Sequence, residues 1–133
     1  MKSLEHLVAP ASEYYIYSPS KVAQSMFLYP LRCGVFTYEP GYRLVRRAFN
    51  SFLLMYIQKG TIQLETSGQA QTVQAGHFIL LDCYQPHAYA TDTGYTCLWL
   101  HFDGIQARSY YQLITSRLGL CGIWRTFPPH CGS

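Results

Sequence analysis

From residue 31 onward the chain alternates short apolar runs with turn-forming residues at close intervals. "LRCGVFTYE", "SFLLMYIQ", "TIQLET", "AQTVQ", "HFILLD", "AYAT" and "YTCLWLHF" are of strand length and rich in aromatic and β-branched residues. Turns separate them. "EPGY" at 39–42 pairs a φ-restricted Pro with a permissive Gly, and Lys59-Gly60 predicts a two-residue hairpin connection. "TSGQ" at 66–69, Ala75-Gly76, "YQPH" and "DTG" supply the rest. Many short strands joined by Gly-bearing turns predict an all-β sandwich or barrel. After Gly104 the period changes: Ala107, Tyr110, Tyr111, Ile114 and Leu118 recur at helical spacing. The pattern predicts an amphipathic helix with Asp103 as N-cap and Gly119 just past its end. Residues 1–30 show weak periodicity, with "SEYYIYSPS" a short strand or extended arm. The closing "LGLCGIWRTFPPHCGS" is apolar but broken at Pro128-Pro129, and reads as cut from something larger.

The strand "GYTCLWLHFDG" carries the most unusual alternation. Side chains of a strand point to opposite faces in turn. Leu98, Leu100 and Phe102 make one face apolar, while the other presents the thiol of Cys97, the indole of Trp99 and the imidazole of His101. That mixed face can line a ligand site, a metal site or a core.

Composition narrows the choice. A chain of 133 residues is one domain with one core. Its charged fraction of 13%, with 12 Tyr and 7 Phe, points to extensive buried or ligand-facing surface and away from disorder. The net charge of +3 is modest, and Arg43, Arg46 and Arg47 form no basic stripe of the kind that tracks nucleic acid. Five cysteines without a CxxC pair argue against a disulfide framework and a zinc ribbon. With no signal-peptide h-region and no apolar run long enough to span a bilayer, a cytoplasmic location and no membrane partner are expected.

In "AGHFILLDCYQPHAY", Gly76 and His87 match the second metal-cupin motif, G-x5-P-x-G-x2-H-x3-N, with Asp82, Tyr84 and Thr91 replacing its Pro, Gly and Asn. Gly41 and Gly60 match the ends of the first, but Arg47, Phe49 and Leu53 stand at its ligand positions. A zinc or iron site needs about three protein ligands. Only His87 remains, so no metal and no other cofactor is expected. The ordered set "YIQKGTIQLE", "VQAGHFILLDCYQPHAY" and "LWLHFDG" resembles the N-terminal effector-binding and dimerisation domain of AraC-type (AraC/XylS) transcriptional regulators, over residues 30–118.

The resemblance implies a mainly β fold: a cupin-like jelly-roll barrel at 31–104, an arm at 1–30, and at 105–133 the start of a truncated helical dimerisation region. The family's helix-turn-helix half is expected to lie outside this chain. DNA contact would come only through that half, and the full-length protein would be a homodimer through Tyr110, Tyr111, Ile114 and Leu118. The implied partner is a small-molecule effector, a carbohydrate or related metabolite. Trp99 takes the stacking position, where an indole suits the C–H face of a sugar. Cys97, Tyr89, His87 and one of Arg43 or Arg46 are the implied neighbours, and Tyr15 and Tyr17 would come from the arm. Cys97 hydrogen-bonds poorly, which favours a ligand less polar than a pentose. The alternatives are a cupin enzyme, an isomerase or dioxygenase, and a cupin that binds without regulating. An enzyme needs a metal or an acid–base pair, and Glu39 and Glu65 are far apart in sequence.

Overall fold

The computed structural model describes residues 1–2, 5–66, 68–118 and 123–125. In chain order the elements are β1 (Glu13–Ile16), α1 (Lys21–Met26), β2 (Leu28–Tyr38), β3 (Arg43–Arg46), β4 (Phe52–Thr66), β5 (Gln69–Gln74), β6 (His77–Asp82), β7 (His87–Ala90), β8 (Tyr95–Gly104), α2 (Ala107–Leu118) and β9 (Ile123–Arg125). The strands form one curled antiparallel sheet in the order β1-β2-β8-β4-β6-β9. The second half of β4 carries β5 on one side and β7 on the other, and β7 in turn carries β3. The mainly β, cupin-like fold and its trailing helix are therefore as the sequence predicts.

Lys59-Gly60 is not a hairpin turn. β4 runs through it as one strand, with Phe52–Tyr56 paired to β6 and Thr61–Thr66 paired to β5. The pairing with β8 shifts register between Ile57 and Lys59, and Gly60 has φ +80°. A bulge and a left-handed residue bend the strand from one half of the barrel to the other. A Cβ at Gly60 would stand 2.1 Å from the carbonyl oxygen of Gly94, so only glycine fits. The turn at "EPGY" is as expected: Tyr42 N–H donates to Glu39 C=O at 3.1 Å.

The helical elements differ more. The six-residue α1 was not foreseen; the Ser20 hydroxyl accepts from Ala23 N–H at 3.1 Å and caps it, and none of its residues is buried. Asp103 lies inside β8 and is no N-cap for α2; its carboxylate accepts from Gly104 N–H and from the Tyr84 hydroxyl. Gly119, the expected helix end, lies outside the described residues. α2 is fixed to the outside of the sheet by fully buried Ala107, by Tyr111 on Phe52 (5.3 Å between rings) and by an Arg108–Asp82 ion pair at 2.7 Å.

The core lies inside the curl. Ile57, Ile62, Leu64, Val73, Ile79, Cys83 and Cys97 are fully or almost fully buried. Full burial of a large aliphatic side chain is worth roughly 1.5–3 kcal/mol. β8 obeys its alternation: Cys97 and His101 are buried and Trp99 half-buried on the inner face, while Leu98 on the outer face is 40% exposed.

Candidate functional site

Inside the barrel lies a cavity of about 250 Å³. Each wall follows from strand periodicity. β2 turns Phe36 and Tyr38 inward, β8 turns Trp99 and His101, and β4 supplies Leu53 and Met55 as a floor. Tyr89 enters from β7 and Arg46 from β3; Tyr42 and Phe49 flank β3 in the chain. Tyr14 of β1 and Glu5 close the arm side. Trp99 meets Phe36 edge-on at 5.1 Å and His101 at 5.6 Å. Its Cζ2 edge rests on Gly34, where an added Cβ would lie 2.8 Å from the ring and 2.5 Å from the Glu13 carbonyl oxygen. Glycine thus lets both the indole and the arm strand approach β2. The buried Trp99 Nε1 has no hydrogen-bond partner within the described protein.

The cavity is polarised along its length. One end is cationic: the Arg46 and Arg32 guanidinium carbons lie 4.4 and 5.6 Å from the centroid of the Phe49 ring. His101, whose ring meets Phe49 edge-on at 4.9 Å, sits beside them, its Nδ1 2.8 Å from the Ser51 hydroxyl. Burial first, and then the positive charges of Arg46 and Arg32, lower the His101 pKa to about 3, so the ring is neutral at physiological pH. The other end is phenolic: Tyr42 donates to the Glu5 carboxylate and packs against Tyr38 at 4.4 Å. Burial holds the Tyr38, Tyr42 and Tyr89 phenols protonated, with the Glu5 hydrogen bond the next cause for Tyr42.

The residues implied by the resemblance divide. Trp99, Tyr89 and Arg46 line the cavity together. Arg43 does not: three residues from Arg46 on a strand, it takes the opposite face and is exposed. Cys97 is wholly buried one layer deeper, opposite Ile57, and burial raises its thiol pKa. His87 is buried outside the cavity, its Nδ1 3.0 Å from the Gln85 carbonyl oxygen and its ring stacked over Tyr89 at 6.3 Å. Tyr15 is 61% exposed because its neighbour Tyr14 takes the inward position of β1. Tyr17 lines an outer groove that shares Arg32 and Phe49 with the cavity mouth. On α2, Tyr110 and Leu118 are exposed, whereas Tyr111 and Ile114 are half-buried.

Sequence reasoning missed Arg32, Tyr14, Phe36, Tyr42 and Glu5 as wall residues. Parity within "LRCGVFTYE" sets Arg32, Phe36 and Tyr38 on one face and so indicates Arg32 as well as Phe36; the register shift at Leu31 falls before these residues and leaves their alternation unbroken. Of the cupin ligand positions, Phe49 and Leu53 do face the cavity, as apolar walls, and Arg47 is exposed. Two cavity arginines repel a cation, and among the described residues no group of three or more His, Cys, Asp or Glu converges as a metal set. This residue set does not fit the metal of metal-binding cupins.

A curled antiparallel barrel around an internal, mixed aromatic and polar cavity is the architecture of a cupin-type binding domain. Solved structures agree on the fold. A cupin superfamily protein from Desulfitobacterium hafniense DCB-2 superposes with a TM-score of 0.52 at 14% identity, covering 76% of this chain and 82% of that one. The cupin domain of an XRE family transcriptional regulator from Enterobacter cloacae gives 0.51 at 13%, over 68% of this chain and 95% of that one. YhaK from Escherichia coli gives 0.59 at 17%, over 71% and 45%. Residues 29–131 match the AraC-like ligand binding domain family, and the chain belongs to it. In sequence it is 32% identical over 76 residues to the uncharacterized HTH-type transcriptional regulator YisR of Bacillus subtilis (strain 168), over 55% of this chain. The matched segment spans about a quarter (26%) of that protein's length. Among the described residues no helix is long and apolar enough to cross a membrane.

Proposed function

We propose that this chain is the effector-sensing part of a longer AraC-type transcriptional regulator. A small metabolite of carbohydrate size binds inside the barrel and controls a DNA-binding part that lies outside this chain. The observation that carries the reading is the internal cavity walled by Trp99, Tyr89 and Arg46. A stacking ring, a neutral phenol and a charged donor around one cavity are what a polar metabolite needs for orientation and affinity. The matched relative's name, an HTH-type regulator, supports the link to DNA.

The arm is the element a ligand can bias. β1 is only four residues long, pairs on one side with β2, and contributes Tyr14 to the wall. Ligand contact with Tyr14 favours the docked arm, and differential affinity for docked and released arms is the source of switching. In the full-length cytoplasmic protein the exposed Tyr110, Leu113 and Leu118 of α2 serve a homodimer, while Tyr111 and Ile114 hold the helix to the barrel. The domain senses without catalysing.

Thermal melting against a panel of small metabolites and divalent metals tests the reading. A ligand that binds only the native state raises the midpoint with dose. The expected result is a rise with one organic metabolite that Trp99→Ala abolishes while the variant keeps its β-sheet circular dichroism. A rise with metals alone, or an undiminished organic response in Trp99→Ala, would overturn it.

A further inference from the structure

We infer that the effector is an acid: its carboxylate sits at the mouth of the barrel between Arg32 and Arg46, and its hydroxyl-bearing body extends inward along Trp99. The inference rests on the sensing role proposed above and specifies the ligand's chemistry. Four observations carry it.

The two guanidinium groups converge on one ring, Phe49, at 4.4 and 5.6 Å. They come from two different strands and both line the cavity, so the fold brings two positive charges to one site. Neither is in an ion pair among the described residues, whose ion pairs are Lys2–Glu13 and Arg108–Asp82. Two guanidinium groups that line one cavity with no carboxylate partner favour an anion there, which can accept charge-assisted hydrogen bonds from them.

The rest of the cavity fits the same polarity. His101, beside the pair, is neutral, which leaves the arginines as the charge of that end. The one carboxylate on the wall, Glu5, accepts from Tyr42 at the phenolic end. Arg32 and Tyr38 are six residues apart on β2, roughly 20 Å along the strand, whereas Arg46 stands close enough for its charge to act on Tyr42 and Tyr89. The formal balance of two arginines and one glutamate is +1, which matches a carboxylate better than a phosphate dianion. Between the ends, Phe36, Trp99 and Met55 offer an apolar and aromatic lining for a carbon skeleton, and Tyr42, Tyr38 and Tyr89 offer neutral phenols for hydroxyl groups. A polyhydroxylated monocarboxylic acid, of the uronate or aldonate type, meets each requirement.

Calorimetry and thermal shift with matched probes test it: galacturonate, glucuronate and gluconate against galactose and glucose, with glucose 6-phosphate and inorganic phosphate as separate arms. At least one carboxylate should bind and raise the midpoint at about 10 mM, where its neutral counterpart does not. Arg32→Gln and Arg46→Gln should each weaken that binding by roughly tenfold or more. Arg43→Gln removes the same charge from the outer face of β3 and should leave binding unchanged. Arg32 is exposed, so its variant keeps the barrel intact. Binding of a neutral sugar as tight as its acid, unaffected by either arginine variant, overturns the acid assignment and leaves the sensing role standing. Binding of the phosphate compounds alone replaces a carboxylate by a phosphate and equally overturns it. Silence toward every compound, neutral and anionic, fails this inference and the sensing role together.

Discussion

Acid should weaken this barrel through one buried imidazole. A histidine in an unfolded chain titrates near 6.5, whereas His101 in the fold titrates at about 3, because burial and then the charges of Arg46 and Arg32 oppose its protonation. Below the unfolded value the unfolded chain binds a proton that the native state refuses, so stability falls as pH falls. The contribution is whole above about pH 6.5 and drains progressively down to about pH 3. At about 1.4 kcal/mol per pH unit, moving from pH 7 to pH 5 removes about 2 kcal/mol. The assay is urea unfolding followed by tryptophan fluorescence at both pH values, for the native sequence and for His101→Asn. Asparagine sets a polar atom near the position of Nδ1, keeping a partner for the Ser51 hydroxyl. The variant should be less stable at pH 7, having lost ring contacts with Phe49 and Trp99, but should lose about 2 kcal/mol less than the parent on acidification. Carboxylates elsewhere titrate alike in both proteins and cancel in the difference. Parallel pH dependence would show that His101 carries no proton deficit, and the electrostatic account of the cationic end would fail with it.

Two other outcomes can be checked without a ligand. Gly60→Ala combines a positive φ with a contact of 2.1 Å to backbone, and should cost roughly 2–4 kcal/mol by denaturant unfolding; a loss under about 0.5 kcal/mol would mean that the β4 bend relaxes freely. Peptide mapping after brief treatment of the native protein with a thiol reagent should find Cys33 modified and Cys83 and Cys97 spared, since Cys33 is exposed and burial pushes the Cys83 thiol up to about 12 and Cys97 higher still. Early modification of Cys97 would refute its position in the core.

What the sequence discloses and what it conceals follow from the range of the interactions involved. The inward set of β8 is legible because alternation is local, and Trp99 follows from it directly. The same rule separates Arg46 from Arg43, which lie an odd number of residues apart on β3; the family resemblance alone left that choice open. Arg32 shares the parity of Phe36 and Tyr38, with the register shift falling before it, so its inward face was equally legible; what alternation does not tell is that Arg46 of another strand meets the same Phe49 ring. Tyr14 escaped because three tyrosines crowd the arm and only the pairing register of β1 on β2 tells which faces inward. Gly60 was misread for a different reason. A glycine after a polar residue serves a hairpin and a strand bend equally well, and only the partners on either side, β8 before and β5 after, distinguish the two.

The position of β8 has a consequence for how the protein comes to be folded. β2 and β4 are separated in synthesis only by the short β3 but do not pair; each waits for β8, which inserts between them after almost every other described strand has been made. Until residue 104 is available, the edges of β2 and β4 stay open along the cavity side, and Trp99 has no wall to complete. Such late, distant pairing is slow to form and leaves open strand edges exposed to other nascent chains in the meantime. The strand that carries Trp99 is also the one that joins β2 to β4, so the indole reaches its place in the cavity wall only when those two halves of the sheet have been brought together.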